Sequence, residues 1–415
     1  MATNHLERRI AIIGAGISGL LACKYCLSKG FDPIVFESES SVGGVWTKTI
    51  GSTKLQTPKP FYQFSDFPWP DSVTQMFPGQ QAVQEYIESY ASHFDLIRHI
   101  QFYSKVLSLS YEDCDSISGD WNLWGRKWNV NVQDTRTLST KVYQVDFVVV
   151  CVGRFSQVPN IPEFPPNKGP EAFEGEVIHS MDYSKMDPKT ATNFVKGKHV
   201  AVVGFLRSGM DIARECSMVN VPEGFYDRVE EGSINLIKKA EDFGFSKEGI
   251  VLEGRAEPIK SDLVILATGF KGIDKLKHIF ESPKYQEFIA GSDDSAAVPL
   301  YRECIHPRIP QLAIIGFSES LANLYTSEIR CRWLAELLDG KFKLPSIKVM
   351  EKDIAEWDKY KKRYSYRKYY RRSCIAALHV WHNDQLCKDM GWNPKRKKGL
   401  WAEWFEPYGP MDYAA

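Results

Sequence analysis

Twice in this chain an apolar strand runs into a glycine turn and straight on into a helix, at Ile10 to Leu21 (IAIIGAGISGLL) and at His199 to Ala213 (HVAVVGFLRSGMDIA). A strand that must turn tightly into a helix packed on it builds a parallel α/β sheet, so the repetition predicts two units of that kind. In the first copy Gly14 permits the turn, Gly16 lets backbone approach a phosphate and Gly19 lets the helix close on the sheet. The helix N-terminus carries unpaired N–H groups and partial positive charge, which suit a pyrophosphate. Gly14, Ala15, Gly16, Ile17, Ser18 and Gly19 are therefore expected to hold one. A second strand, Pro33 to Phe36, ends at Glu37, where a carboxylate can bond a ribose hydroxyl.

Gly43, Gly44, Val45 and Trp46 (GGVW) follow the carboxylate at once. Two more glycines there predict a loop pressed against the bound dinucleotide, as the long FAD needs more than NAD does. Gly44, Val45 and Trp46 join the expected cofactor residues.

Length and composition bound the rest. A chain of 415 residues with 43% apolar content suits two or three domains with full cores. The 52 basic and 52 acidic residues cancel, so no global field favours nucleic acid or an anionic surface. No apolar run reaches the ~18 residues of a membrane span, and the first strand starts too early for a secretory leader. Nine scattered cysteines fit reduced thiols in the cytosol rather than a disulfide frame. Cys23 and Cys26 form C-x-x-C, but within the first helix, where they share a face that packs on the sheet.

Gln80 to Asp95 reads as an amphipathic helix, and Lys105 to Val132 with Val142 to Val152 as a β-rich excursion returning to the first sheet. The proline-rich stretch Gln157 to Pro166 marks a crossing between domains. We expect a first unit over 1–195, a shortened second unit over 196–262, and a return to the first unit, with C-terminal helices, over 263–415.

The second turn departs from a complete unit. Leu206 stands where the second glycine belongs, leaving Gly204, Arg207, Ser208 and Asp211 as the remnant of a nucleotide turn. Beyond Cys216 the expected second strand is missing; Ser233 to Lys239 and Gly249 to Glu253 read instead as a hairpin ahead of the strand near Asp262. A strand deprived of its neighbour leaves an exposed edge.

Phe173, Gly175, His179 and Tyr183, in the spacing F-x-G-x-x-x-H-x-x-x-Y, and Leu266 to Phe270 (LATGF) complete a pattern that resembles the flavin-containing monooxygenases, in particular a plant branch, along nearly the whole chain. The resemblance implies an α/β flavoprotein with a Rossmann-like FAD domain and an inserted, here truncated, NADPH domain. About a hundred residues of the family pattern have no counterpart after Ser217. It implies FAD and NADPH as cofactors, no metal, and a peroxyflavin that passes one oxygen atom of O2 to a soft nitrogen or sulfur of a small metabolite. Gln56 (LQTPKPF) stands where the family commonly has an asparagine near the flavin, with Lys59 and Asp66 in the same segment.

Three activities fit this reading: the monooxygenase, including a decarboxylating variant; an NADPH-impaired flavoprotein that acts through a full-length relative by homo- or hetero-oligomerisation; and a flavin disulfide reductase, for which Cys23 and Cys26 are badly placed. His179 is expected to join domains rather than shuttle protons, and Gly316 to Asn323 to approach the flavin ring after the chain re-enters at His306. The basic and aromatic stretches Tyr360 to Arg372 and Pro394 to Lys398 read as solvated helix, with no nucleic-acid partner. A cytoplasmic enzyme, with a loose membrane-surface contact left open, is the expected setting.

Overall fold

The computed structural model describes residues 8–112, 121–155, 157–217, 225–237, 242–290, 298–364, 374–376 and 378–414. The apolar run before the first glycine turn becomes β1 (Arg9–Ile13), the turn leads into α1 (Ile17–Ser28), and β2 (Asp32–Phe36) follows. Next come α2 (Gln80–His93), the short β3 (Ile100–Gln101), the strands β4 (Ser104–Tyr111), β5 (Trp128–Asp134) and β6 (Thr140–Val145), and the fully buried β7 (Phe147–Val150). Much later β14 (Leu312–Ile314) returns beside β7. The sheet order is β14-β7-β1-β2-β3, all parallel.

Alternation along β1 shows how the sheet is covered. Ile10 and Ile12 join a core with α1, α2 and the long helix α9 (Asn323–Leu338), while Ala11 and Ile13 join the opposite core with β4–β6 and the helices α7 (Gly272–Lys277) and α8 (Pro283–Ala290). Both faces are buried, as a parallel sheet requires. Cys23 and Cys26 are buried in the first core, their thiols pushed up by burial, to about 12 for Cys23, which fits packing and not redox work.

A second sheet orders β8 (Glu176–His179), β13 (Leu263–Leu266) and β9 (Val200–Val203), again parallel. One face is covered by α3 (Ser180–Tyr183), α4 (Pro188–Val195) and α5 (Arg207–Ser217), the other by β10 (Phe243–Ser246), β11 (Gly249–Leu252) and β12 (Ile259–Lys260). The hairpin is thus β10 with β11, and the expected arm at Ser233 to Lys239 is corrected: 233–237 carry no strand, and 238–239 lie outside the described residues. Gly249, at φ 154 and with Ile259 O 1.9 Å from where a Cβ would stand, lets β12 close on β11.

In the first sheet β1 lies between β7 and β2, whereas β9 has only β13 beside it among the described residues. Among the described residues no strand flanks β9 on its other side, and Phe205 and Leu206 are exposed at its end. A short helix α6 (Phe225–Glu230) follows α5, and α10 (Ile347–Tyr364), β16 (Cys374–Ala376), α11 (His379–Asp389) and α12 (Leu400–Phe405) finish the chain, β16 pairing with β15 (Glu319–Ser320). No described helix is long and apolar enough to cross a membrane.

Candidate functional site: a dinucleotide cavity at the first glycine turn

A cavity of about 520 Å³ opens at the carboxyl ends of β1, β2 and β7, the place where open α/β sheets bind ligands. Gly14 turns there at φ 101, and a Cβ on it would stand 2.7 Å from the carbonyl oxygen of Cys151. Gly19 is more crowded, with 1.8 Å from a Cβ to the carbonyl oxygen of Gly14, so the helix can approach the turn only because residue 19 is glycine. Gly16 caps α1 with no side chain, which leaves the N–H groups of the first turn directed at the cavity. The N–H of Ala15 donates to Glu37 Oε2 at 2.7 Å, tying the turn to the buried carboxylate at the end of β2.

The GGVW loop lies across this turn. The N–H of Gly43 donates to the Ala15 carbonyl at 3.0 Å, and a Cβ on Gly44 would come 3.0 Å from Gly16 Cα, so two backbones meet with no side chain between them. Trp46 donates from Nε1 to Tyr62 Oη at 2.7 Å and lines the cavity wall. Gly14, Gly16, Ile17, Ser18, Glu37, Gly44, Val45 and Trp46 all line it, while Ala15 and Gly19 shape it from behind.

Four cations at the cavity, Lys48, Lys105, Arg154 and Lys275, escape a reading by motif. Arg154, in the loop four residues past the end of β7, pairs with Glu319 at 2.8 Å. Lys275 on α7 donates to the Val152 carbonyl at 2.5 Å; burial, aided by Lys48, lowers its amine to about 8 against the opposing pull of Glu37. Lys48 pairs with Glu39 at 2.5 Å. Lys275 is far from the glycine turn in sequence, and only the return of the chain after β13 brings it there. Gly316 to Glu319 and Asn323 also reach the cavity.

The second turn reproduces the first in backbone only. Gly204 has φ 123 with Ala267 O 2.4 Å from a Cβ, and Gly209 stands 2.1 Å from Gly204 O by the same measure. The N–H of Ala267 bonds Val203 at 2.8 Å as that of Cys151 bonds Ile13 at 2.9 Å, so the ATG strand end does here what the end of β7 does in the first sheet. The Gly14 N–H bonds Phe36 of β2 at 2.8 Å, a partner the second sheet does not supply among the described residues. Arg207 donates from Nε to Asp211 at 2.7 Å and from Nη2 to the Lys54 carbonyl at 2.8 Å, and Thr53 donates to the buried Asp211 at 2.8 Å. Gly204, Arg207, Ser208 and Asp211 stand together at this turn and do not line the cavity.

Gln56 sits exposed in a bend and does not line the cavity either, although its neighbour Thr57 donates to Leu321 O at 3.1 Å. Lys59 bonds the Val73 carbonyl and Asp66 pairs with Lys24. His179 accepts from the Met181 N–H at 3.1 Å and lies 3.0 Å from Gly269 O, tying β8 to the loop after β13.

An uncapped helix start, a bare glycine-on-glycine contact and a buried carboxylate one strand away fit the pyrophosphate and ribose of FAD. The fold and this cavity define a flavoprotein built on two nucleotide-binding sheets. The sequence matches the family described as Flavin-binding monooxygenase-like over residues 7–223 and 223–396, and the chain belongs to that family of enzymes. It is 33% identical to "Probable flavin-containing monooxygenase 1" of Arabidopsis thaliana, over 100% of this chain and 98% of the relative, and 35% identical to a second Arabidopsis thaliana flavin-containing monooxygenase over 94% and 98%. The first of these alignments runs over 530 positions against 415 residues here. The family match breaks at 223, so relatives carry an internal stretch this chain lacks. Among solved structures, S-allyl-L-cysteine S-oxygenase of Allium sativum superposes with a TM-score of 0.70 at 21% identity, covering 93% of this chain and 89% of that one, and shares the fold. The chain is a flavin-dependent monooxygenase by family.

Proposed function

We propose that this chain binds FAD at the first glycine turn and, with NADPH as reductant, transfers one oxygen atom of O2 to a soft nitrogen or sulfur of a small metabolite. The observation that carries the reading is the contact of Gly16 with Gly44 beside the buried Glu37, a cradle that a side chain would fill. Reduced FAD, when bound, supplies the activation of dioxygen. The chain's part is placement: α1 directs its free N–H groups at the pyrophosphate, Glu37 accepts from ribose, and Lys275 and Lys48 add positive charge. Gly44, Val45 and Trp46 close the turn side against water, and Gly316 to Glu319 with Asn323 form a further part of the wall.

Gly204, Arg207, Ser208 and Asp211 are proposed as the NADPH turn and Gln56 as the amide beside the flavin. The proposed division remains 1–195, 196–262 and 263–415, with β8 and β13 as the two crossings that lend strands to the second sheet. We place the enzyme in the cytoplasm, with peripheral contact at a membrane surface as its other proposed setting.

A second reading draws on the inward turn of Arg207 and on β9 having β13 alone beside it among the described residues: an NADPH-impaired flavoprotein that works through a full-length relative, in a homo- or hetero-oligomer. Anaerobic addition of NADPH to the purified, flavin-loaded protein separates the two. Bleaching of the oxidised flavin supports the self-sufficient enzyme; flavin that dithionite bleaches and NADPH does not supports the second reading.

A further inference from the structure

Glu303 is a carboxylate that no motif singles out. It is 5% exposed and, with Arg302, holds left-handed backbone at φ 54 and 52, which residues other than glycine keep only where their surroundings dictate it. Lys361 Nζ of α10 stands 3.0 Å from its Oε1, and Trp357 donates from Nε1 to the same oxygen at 2.9 Å. The other oxygen accepts from Ser318 Oγ at 2.5 Å. Around the group lie Arg330 of α9, which is 1% exposed, Asp358 of α10 at 3.9 Å from Lys361, and His382 of α11, kept neutral by burial. Arg302 itself points to Asp353 and Asp389. Burial alone would raise the Glu303 carboxyl; Lys361 and Arg330 outweigh it and hold it at about 2.

An ionised carboxylate accepts hydrogen bonds and cannot donate them. Ser318 has one hydroxyl proton, and Glu303 takes it. Ser318 is also among the residues that line the dinucleotide cavity, and with its proton directed at Glu303 its hydroxyl oxygen has only lone pairs to offer a ligand that reaches it. Asn323, on the same wall, has Oδ1 committed to the Ser320 N–H at 2.7 Å, which leaves its amide hydrogens as donors.

We propose that Glu303 is a positioning residue that fixes Ser318 as an obligate hydrogen-bond acceptor in the cavity wall, so that the wall selects a ligand edge bearing an N–H. The inference rests on the flavin reading above. Uptake of two electrons and protons turns ring nitrogens of a flavin from acceptors into N–H donors, so a ring nitrogen facing Ser318, the one position of the wall locked as acceptor, is held more tightly in the reduced form than in the oxidised one.

The test is the midpoint potential of bound FAD, titrated with dithionite against a reference dye, with melting temperature and flavin content as controls. Ser318→Ala is expected to lower the ratio of reduced to oxidised affinity about tenfold, a shift of about 30 mV to more negative potential for a two-electron couple. Glu303→Gln is expected to move it in the same direction, because a glutamine amide can donate to Ser318 and release its proton toward the cavity. Ser318→Thr, which keeps the hydroxyl, is expected to stay near the parent. A folded, flavin-loaded Ser318→Ala protein with an unmoved potential overturns the proposal, and it decides the matter even where Glu303→Gln fails to fold. A parent protein that takes up no FAD overturns the flavin reading, and this inference with it.

Discussion

Arg207 donates from Nε to Asp211 Oδ2 at 2.7 Å, and the pair turns the cation of the second glycine turn back onto its own helix. Thr53 and the Lys54 carbonyl hold the pair in place from the first unit. To reach a nucleotide phosphate, Arg207 has to leave Asp211. The pair is partly exposed, worth ~1 kcal/mol, so Asp211→Asn is expected to tighten NADPH by about fivefold, read from the NADPH dependence of flavin bleaching. An unchanged dependence removes Arg207 from the proposed NADPH turn.

The two glycines of the first turn should fail differently. Gly19→Ala places a methyl 1.8 Å from the Gly14 carbonyl and is expected to prevent folding of the unit. Gly16→Ala meets only Gly44 Cα, at 3.5 Å, so the protein should keep its melting temperature and lose about tenfold in FAD affinity, measured by flavin fluorescence. Equal loss of fold in both variants would falsify the view that Gly16 serves the ligand.

Lys275 gives a pH signature. Its folded value of about 8 lies below the unfolded one of about 10.4. Between them the unfolded chain holds the extra proton, so this group adds stability as pH rises through that window, and its penalty is full below pH 8. The amine is also substantially neutral at pH 8, so acetic anhydride should acylate Lys275 ahead of the surface lysines, with FAD protecting it. Peptide mass mapping with and without FAD reads this out; labelling no faster than at the exposed Lys352, which lies outside the cavity, counts against it.

Arg332 on α9 donates to Tyr25, Ser65 and the Tyr413 carbonyl, each at 2.8 Å, beside the buried Glu328. Arg332→Ala leaves the buried Glu328 with the neutral donors Tyr25 and Ser65 and no cation within the pair, and should cost about 3–5 kcal/mol in a denaturant titration. A loss below about 1 kcal/mol would mean that water replaces the guanidinium.

The first unit was legible because its requirements are local. Strand, glycines, helix and Glu37 fall within about forty positions, and each states its reason in its own side chain. That β9 has β13 alone beside it among the described residues agrees with the missing second strand read from the sequence. The hairpin's first arm was misplaced because Ser233 to Lys239 carries apolar residues as β10 does, and only the register of Phe243 to Ser246 against Gly249 to Leu252 shows which segment pairs. Arg154 and Lys275 could not be read in advance, since nothing near them in sequence speaks of a ligand. Their meaning comes from β7 and β13 ending in matched turns, Gly153 at φ 64 and Gly269 at φ 86, a likeness between CVG and ATG that offers the one available clue.

Gly204 and Gly209 touch each other, and neither needs a nucleotide to explain why it is glycine. A helix leaving a strand at this angle would demand both of them in an empty protein. Selection on folding alone would thus preserve the second signature long after any binding had lapsed, and a scan for it would go on reporting a cofactor where there is only a joint.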